Sequence, residues 1–288
     1  MEYILHILIM IVIYIMLAHS LNLVAGFSNM ISLAHAGFYG IGAYTTAILS
    51  VNYDLPFLVT LPLAMIISGL VAMIVSVIAL RTVDDYFIII TLGIQIVLFS
   101  IMNNWMELTR GPLGIPGIPS ISILGLEFDN KVLFLLLSLI LAGVVFFIIR
   151  NITTSPFGKV LKALSEDEIF TQSLGKNVYK AKIISFTTGA MIAAVPGVLY
   201  AHYISYIDPT SFTVMESIFI LSIVIIGGMR NLYGAIIAAA FLIILPEALR
   251  FIGLPNNVAA NLRQIIYGII LVFMMFRYSK GFVLQQKI

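Results

Sequence analysis

The sequence predicts an all-α protein, a polytopic transmembrane helical bundle of about nine spans, with eight to ten compatible with the pattern. Three observations carry that reading. Hydrophobic residues make up 61% of the chain and charged residues only 10%, where soluble domains carry about a quarter charged. Apolar runs of membrane-crossing length recur throughout, and the mean hydropathy is +1.11. One long polar island, Arg150 to Lys182, interrupts them. Polar chain of that length is ruinous in hydrocarbon, so the island sits in water outside the bilayer.

A span needs roughly 20 apolar residues, fewer where neighbouring protein shields a short helix. Nine segments qualify in chain order: 4–24, 33–50, 56–80, 86–102, 131–149, 183–203, 215–229, 234–250 and 263–278. The first follows Glu2 with no basic residue before it, so it reads as a retained helix rather than a cleaved signal peptide. The second is rich in glycine and interrupted by His35, so a re-entrant segment is the alternative to a full crossing. Its small residues, Ala34, Ala36, Gly37, Gly40, Gly42 and Ala43, let helix backbones approach closely and place it deep in the bundle. Packing alone explains that face as well as a transport path does. A weak echo links GFYGIGAYTTAI at 37–48 with AVPGVLYAHYI at 194–204.

The stretch 103–130, NNWMELTRGPLGIPGIPSISILGLEFDN, separates the fourth and fifth runs. Trp105 is a headgroup-level anchor. GPLGIPGIP is not helix, because its prolines lack donors and its glycines favour turns. An ordered external loop is expected, with a plain connector as the alternative. Further on, Glu216 and Glu247 fall near span ends, Glu247 just after Pro246, where a helix kinks or stops. Asp85 lies closer still to a surface, and no acid stands convincingly at mid-membrane.

Basic residues gather on the cytoplasmic side of membrane proteins. With the N-terminus outside, the inside loops hold Arg81, the six cations of the island, Arg230, Arg277, Lys280 and Lys287, eleven in all. Arg110, Lys131, Arg250 and Arg263 remain outside. The island is therefore cytoplasmic. Within it, Ser165 can cap a short helix with Glu168 three residues on, and Gly175 is a natural stop. Such an amphipathic helix can lie in the headgroups or dock on a partner. The adjacent acids Glu166, Asp167 and Glu168 argue for docking, since anionic membrane surfaces attract polybasic segments.

Other functions are not indicated. The chain has no cysteine, and its four histidines (6, 19, 35 and 202) are scattered. No phosphate loop, H-E-x-x-H or nucleophile elbow occurs, so neither catalysis nor an ATP site is expected, and the chain itself binds no cofactor. A net charge of +2 gives no reason to invoke nucleic acid.

Four stretches carry a resemblance: 21–49 with GFSNMISLAHAGFYGIGAY, 103–119 with TRGPLGI, KALSEDEIFTQSLGKNVYKAK with the helix after it, and 208–250. Together they resemble the ABC importer permeases for branched-chain amino acids, LivM-type subunit; the LivH-type partner shares the first block but lacks the second. The resemblance implies a single transmembrane permease domain over residues 1–288, with a cytoplasmic coupling loop at 150–182; the count of basic residues over nine spans adds a cytoplasmic C-terminus. It implies a multi-pass protein of the cytoplasmic (inner) membrane of a prokaryote, surrounded by lipid. The implied partners are a homologous LivH-type permease, two cytoplasmic ATPase subunits that hold ATP and Mg, and an external substrate-binding protein. The cargo would be leucine, isoleucine and valine.

By the same resemblance, the coupling helix lies at about 162–175, with Ala163, Leu164, Glu166, Asp167, Glu168 and Leu174 at the ATPase contact. Ser165-Glu166 stands where Arg-Glu is frequent in the family, which removes one cationic contact and leaves the acidic triplet. Asn22, Ser32, His35, Thr91 and Gln95 are candidate pathway residues by polarity and position, since such groups are costly against lipid. Packing is the alternative for each. Related permeases carry urea, short amides or other amino acids. An ATP-independent secondary carrier is the remaining reading, and it would call for a mid-membrane charge pair that is not seen.

Overall fold

A computed structural model describes residues 2–80, 84–123 and 126–250, with 265, 268, 269, 272 and 273 beyond them. The predicted span 263–278 thus lies almost wholly outside the described residues, as do Arg81, Arg263, Arg277, Lys280 and Lys287. The fold is a helical bundle. Helix α1 (Glu2–Leu21) runs without a break into a π turn (Asn22–Phe27), and after a short coil α2 (His35–Tyr53) begins. Then follow α3 (Phe57–Ala79), α4 (Asp84–Asn104), the single turn α5 (Met106–Thr109) and α6 (Lys131–Thr154). The island folds as α7 (Pro156–Glu166) and α8 (Glu168–Ser173). Helices α9 (Val178–Ile204), α10 (Val214–Gly227) and α11 (Leu232–Arg250) complete the described bundle.

Each predicted apolar run within the described residues is a helix, but the expected count of nine spans is not reproduced. Among the described residues, five helices are long and apolar enough to cross a membrane: Glu2–Phe27, Phe57–Ala79, Tyr86–Asn104, Lys131–Thr154 and Val178–Ile204. The shortfall has physical reasons. Helix α10 has 14 residues, about 21 Å at 1.5 Å per residue, against a hydrocarbon core of about 30 Å. Helix α2 starts inside the bundle and is rich in small and polar residues, so apolar length is not what stabilises it.

Helix α9 forms the centre. Its small residues Gly189, Ala190, Ala193, Ala194 and Gly197 are buried beneath α1, α2 and α3. At the α2–α9 seam the backbones touch. A Cβ built on Gly42 would stand 2.4 Å from the Ala194 carbonyl oxygen, and one on Gly197 would stand 2.2 Å from that of Tyr39. Neither position accepts a side chain. The two echoing stretches of the sequence are therefore packed on one another, which accounts for their shared small-residue composition. Outward faces of α3, α4 and α6 carry Ile66, Leu70, Ile74, Ile89, Ile96, Leu136, Ile140 and Phe147, the apolar surface that lipid requires.

The contacts define two ends. At one, Lys131 meets Glu2 at 2.9 Å, joining the start of α6 to the start of α1. There too β1 (Ile115–Pro116) pairs antiparallel with β4 (Tyr206–Ile207) just past α9. Between them in sequence lies a second antiparallel pair, β2 (Ser122–Ile123) with β3 (Leu126–Glu127). The Ser205 carbonyl accepts from both Gly117 and Ile118 N–H, and the Pro119 carbonyl accepts from His202 Nδ1–H at 2.7 Å. The stretch 103–130 is thus ordered on the end of α9. It also holds a 3₁₀ turn at Gly111–Leu113, where the sequence suggested no helix. Pro112 is tolerated because the second position of such a turn needs no N–H bond. At the opposite end lie α7, α8, the start of α9, the π turn and the turn between α10 and α11. Tyr179 there donates to the Val77 carbonyl near the end of α3.

Candidate functional site

The chain is broken between α1 and α2, and the break is buried. A π turn is wider than an α turn and disrupts the regular ladder. The start of α2 then leaves N–H groups short of partners in their own helix, although Gly37 N–H reaches back to the Ala34 carbonyl at 3.1 Å. Side chains from other elements supply them. Thr91 Oγ1 on α4 accepts from Leu33 N–H at 3.1 Å, and Gln95 Oε1 on α4 accepts from Gly37 N–H at 2.7 Å. Ser217 Oγ on α10 accepts from Ala36 N–H at 2.9 Å, and Ser32 Oγ accepts from Ala34 N–H at 3.2 Å. The Gln95 amide also donates to the Phe212 carbonyl at 2.7 Å. Ser20 Oγ–H goes to the Leu17 carbonyl, so His35 Nε2–H donates to the Ser20 oxygen at 2.7 Å and closes the break from the α1 side.

Ser32, His35, Thr91 and Gln95, singled out from the sequence, therefore meet around one feature, the positive end of α2 inside the bundle. All are buried, and their hydrogen bonds hold the chain in place. Asn22 stands apart from them in the π turn. Its Oδ1 accepts from Arg230 N–H at 2.9 Å, and its amide donates to the Asn231 carbonyl at 3.2 Å. Gly26 must be glycine here, because a Cβ would fall 2.0 Å from Asn22 Oδ1. Sequence reasoning missed Ser217 and Ser20, lone hydroxyls in apolar runs. Both acids that the sequence put near span ends are bonded to tyrosines. Glu247 accepts from Tyr3 at the start of α1, whereas Glu216 accepts at 2.6 Å from Tyr14, halfway along the apolar span Glu2–Phe27 and deeper than expected.

At the polar end, Ser155 caps α7 by accepting from Gly158 N–H, with Pro156 at the first helical position. The predicted single helix at 162–175 is instead two. The cap of the second is Asp167, whose Oδ1 accepts from Phe170 N–H at 2.8 Å while its backbone turns extended. Ser165 is no cap; it lies in the last turn of α7 and donates to the Lys162 carbonyl. Both spacings offer a cap three residues ahead, and aspartate caps as well as serine. Gly175, at φ +75°, ends α8 as the sequence implied, with its N–H on the Gln172 carbonyl.

The kink redistributes the predicted contact residues. Leu164 is 4% exposed and part of this chain's own core, and Ala163 is half-buried. Glu166 pairs with Arg230 at 3.1 Å, and Glu168 pairs with Lys182 at 2.6 Å. The acidic triplet is thus engaged within the chain. Beside these charges, three large apolar side chains point outward: Ile169 at 81%, Phe170 at 58% and Leu174 at 60% exposure. Only Leu174 of these was singled out. The signal for the other two was their adjacency, which no single face of a helix covering Leu161 and Leu164 can bury.

Arg230 joins the two regions. It sits in the turn between α10 and α11 at φ +67°. Its Nε donates to the Gly26 carbonyl of the π turn at 3.2 Å, its Nη1 to Glu166 at 3.1 Å and its Nη2 to Ser165 Oγ at 2.6 Å. No group of His, Cys, Asp and Glu suited to a metal ion exists among the described residues.

Residues 3–275 match the family model described as the branched-chain amino acid transport system / permease component. The chain is 37% identical over 265 residues to the high-affinity branched-chain amino acid transport system permease protein LivM of Salmonella typhimurium, covering 84% of this chain and 62% of that protein. The Escherichia coli K12 LivM is 37% identical over 262 residues, covering 83% of this chain and 61% of that protein. Likeness to the E. coli K12 permease protein LivH is lower, 24% over 245 residues, covering 80% of this chain and 79% of that one. The chain thus spans a little over three-fifths of the length of these LivM proteins. No solved structure matches it.

Proposed function

The chain belongs to the family of branched-chain amino acid transport permeases, and from that premise we propose that it is the LivM-type membrane subunit of an ATP-driven importer for leucine, isoleucine and valine. It lies in the cytoplasmic membrane of a prokaryote, with the island and the C-terminus inside. It pairs with a LivH-type permease around one pathway. Two ATPase subunits holding ATP and Mg sit below, and an external binding protein delivers the amino acid. ATP binding favours one arrangement of the bundle over another, and that difference in affinity, not chemistry in this chain, drives alternating access.

One observation supports the coupling part above others. Ile169, Phe170 and Leu174 stand exposed on a short element whose neighbours Glu166, Asp167 and Glu168 are held by bonds within the chain. An apolar knob on a fixed base suits a groove on a soluble partner, where buried aromatics dominate affinity. The small polar groups at the α2 break, with the positive helix end they surround, are the candidate wall for the charged part of a zwitterion. The test is purification of the tagged protein from its native membrane in mild detergent, with uptake assayed alongside. Co-purification of a second permease and ATPase chains, with ATP-dependent leucine uptake, is the expected result. Recovery of the chain alone with uptake intact would favour a secondary carrier.

A further inference from the structure

We infer that Arg230 is the positioning residue through which the α7–α8 element governs the helix break, so that its loss uncouples ATP hydrolysis from transport. The inference rests on the importer reading above. Its ground is the placement of four donor groups of one residue. The backbone N–H and Nε of Arg230 hold the π turn through Asn22 and Gly26, while Nη1 and Nη2 hold α7 through Glu166 and Ser165. A rigid planar fork transmits displacement in a way that a flexible ammonium cannot. Any shift of α7 relative to the bundle therefore pulls on the Gly26 carbonyl, one residue before the end of the π turn.

From there the route into the bundle is short. The π turn leads through residues 28–34 to the start of α2, whose N–H groups depend on Thr91, Gln95 and Ser217. A second tie reaches the same turn from the other side. Glu168 holds Lys182 on α9, and one turn further Ser185 donates to the Leu23 carbonyl and bonds Ser28 at 2.5 Å. Both helices of the island thus grip the π turn, α7 through Arg230 and α8 through the start of α9.

The backbone of Arg230 points the same way. A non-glycine residue at φ +67° is strained. For stability alone the link is a poor reason to keep that strain. Glu166 is 71% exposed along its side chain, and surface ion pairs contribute little to folding. The Arg230 side chain is itself 27% exposed and also serves the Gly26 carbonyl, so the amount of assembled complex is read beside the coupling ratio.

The experiment uses the complete importer in proteoliposomes, with Arg230→Ala and the milder Arg230→Lys. It reads the amount of assembled complex, ATP hydrolysis with and without loaded binding protein, and amino acid uptake. The expected result is assembly as in the wild type, persisting hydrolysis, and a ratio of ATP hydrolysed to solute moved that rises roughly five- to tenfold in Arg230→Ala. Arg230→Lys should be intermediate, because one ammonium cannot hold Gly26, Ser165 and Glu166 together. An unchanged ratio in both variants, or uptake and hydrolysis falling only in step with the amount of complex, overturns the inference. Absence of ATP-driven uptake in the wild-type complex overturns the importer reading, and the inference with it.

Discussion

Gln95 shows how much one side chain can hold. Its carbonyl receives the Gly37 N–H and its amide reaches the Phe212 carbonyl, joining the start of α2 to a 3₁₀ turn at Pro209–Phe212 that precedes α10. Replacing it by leucine takes the Gln95 partner from the Phe212 carbonyl and leaves Gly37 N–H with only the Ala34 carbonyl at 3.1 Å, a loss of about 1–3 kcal/mol. Q95L should therefore lower the detergent melting temperature by several degrees, whereas Ser100→Ala on the same helix should not. A melting curve for Q95L that overlays the wild type would remove the capping role. Gln95 and Thr91 were legible in the sequence because amides and hydroxyls stand out in IIITLGIQIVLF. Ser217 was not, because a serine in an apolar helix commonly bonds back to its own turn. The same residue types were legible as polar and buried, but not as caps. Which N–H groups they serve depends on a chain break between residues 27 and 35 that no local pattern announces.

At the scale of elements, the stop at Gly175 was legible, but the edges of the island fall inside the long helices α6 and α9, and its internal geometry was not legible. Ser165 and Asp167 are both competent caps, and the choice of Asp167 swings α8 away from the line of α7. That swing sends Leu164 inward and Ile169 and Phe170 outward, a result that depends on tertiary packing rather than on helical period. A measurable outcome belongs here. Phe170→Ala should weaken retention of the proposed ATPase subunits by roughly thirtyfold, the loss for an aromatic anchor at about 2 kcal/mol. Leu164→Ala should instead destabilise the permease itself. Quantified co-purification set against melting temperature separates the two. Equal retention by Phe170→Ala and the wild type would move the docking surface elsewhere.

For the whole molecule, the apolar runs sufficed to place the helices, while the number of crossings was beyond them. Length and hydropathy cannot tell a helix that meets lipid from one such as α2 or α10 that protein shields. The charge count assigned opposite sides to the N-terminus and the island, and the contacts of Glu2 with Lys131 and of Arg230 with Glu166 do lie at opposite ends of the bundle. Because the chain has no cysteine, membrane sidedness can be read without background. Lys176→Cys should react with an impermeant maleimide only from the cytoplasmic side, and Asp54→Cys only from outside. Labelling of both from one side would refute the proposed orientation.

The seam between α2 and α9 has a mechanical consequence. Where two backbones meet through Gly42 and Gly197 with no side chain between them, no rotamers are available to exchange, and sliding by even a fraction of a turn brings carbonyl against carbonyl. Helices that cannot shear can only travel together. They form a fixed pair along that seam, and any rearrangement of the bundle falls to what packs around it: the π turn after α1 and the pair α10 and α11.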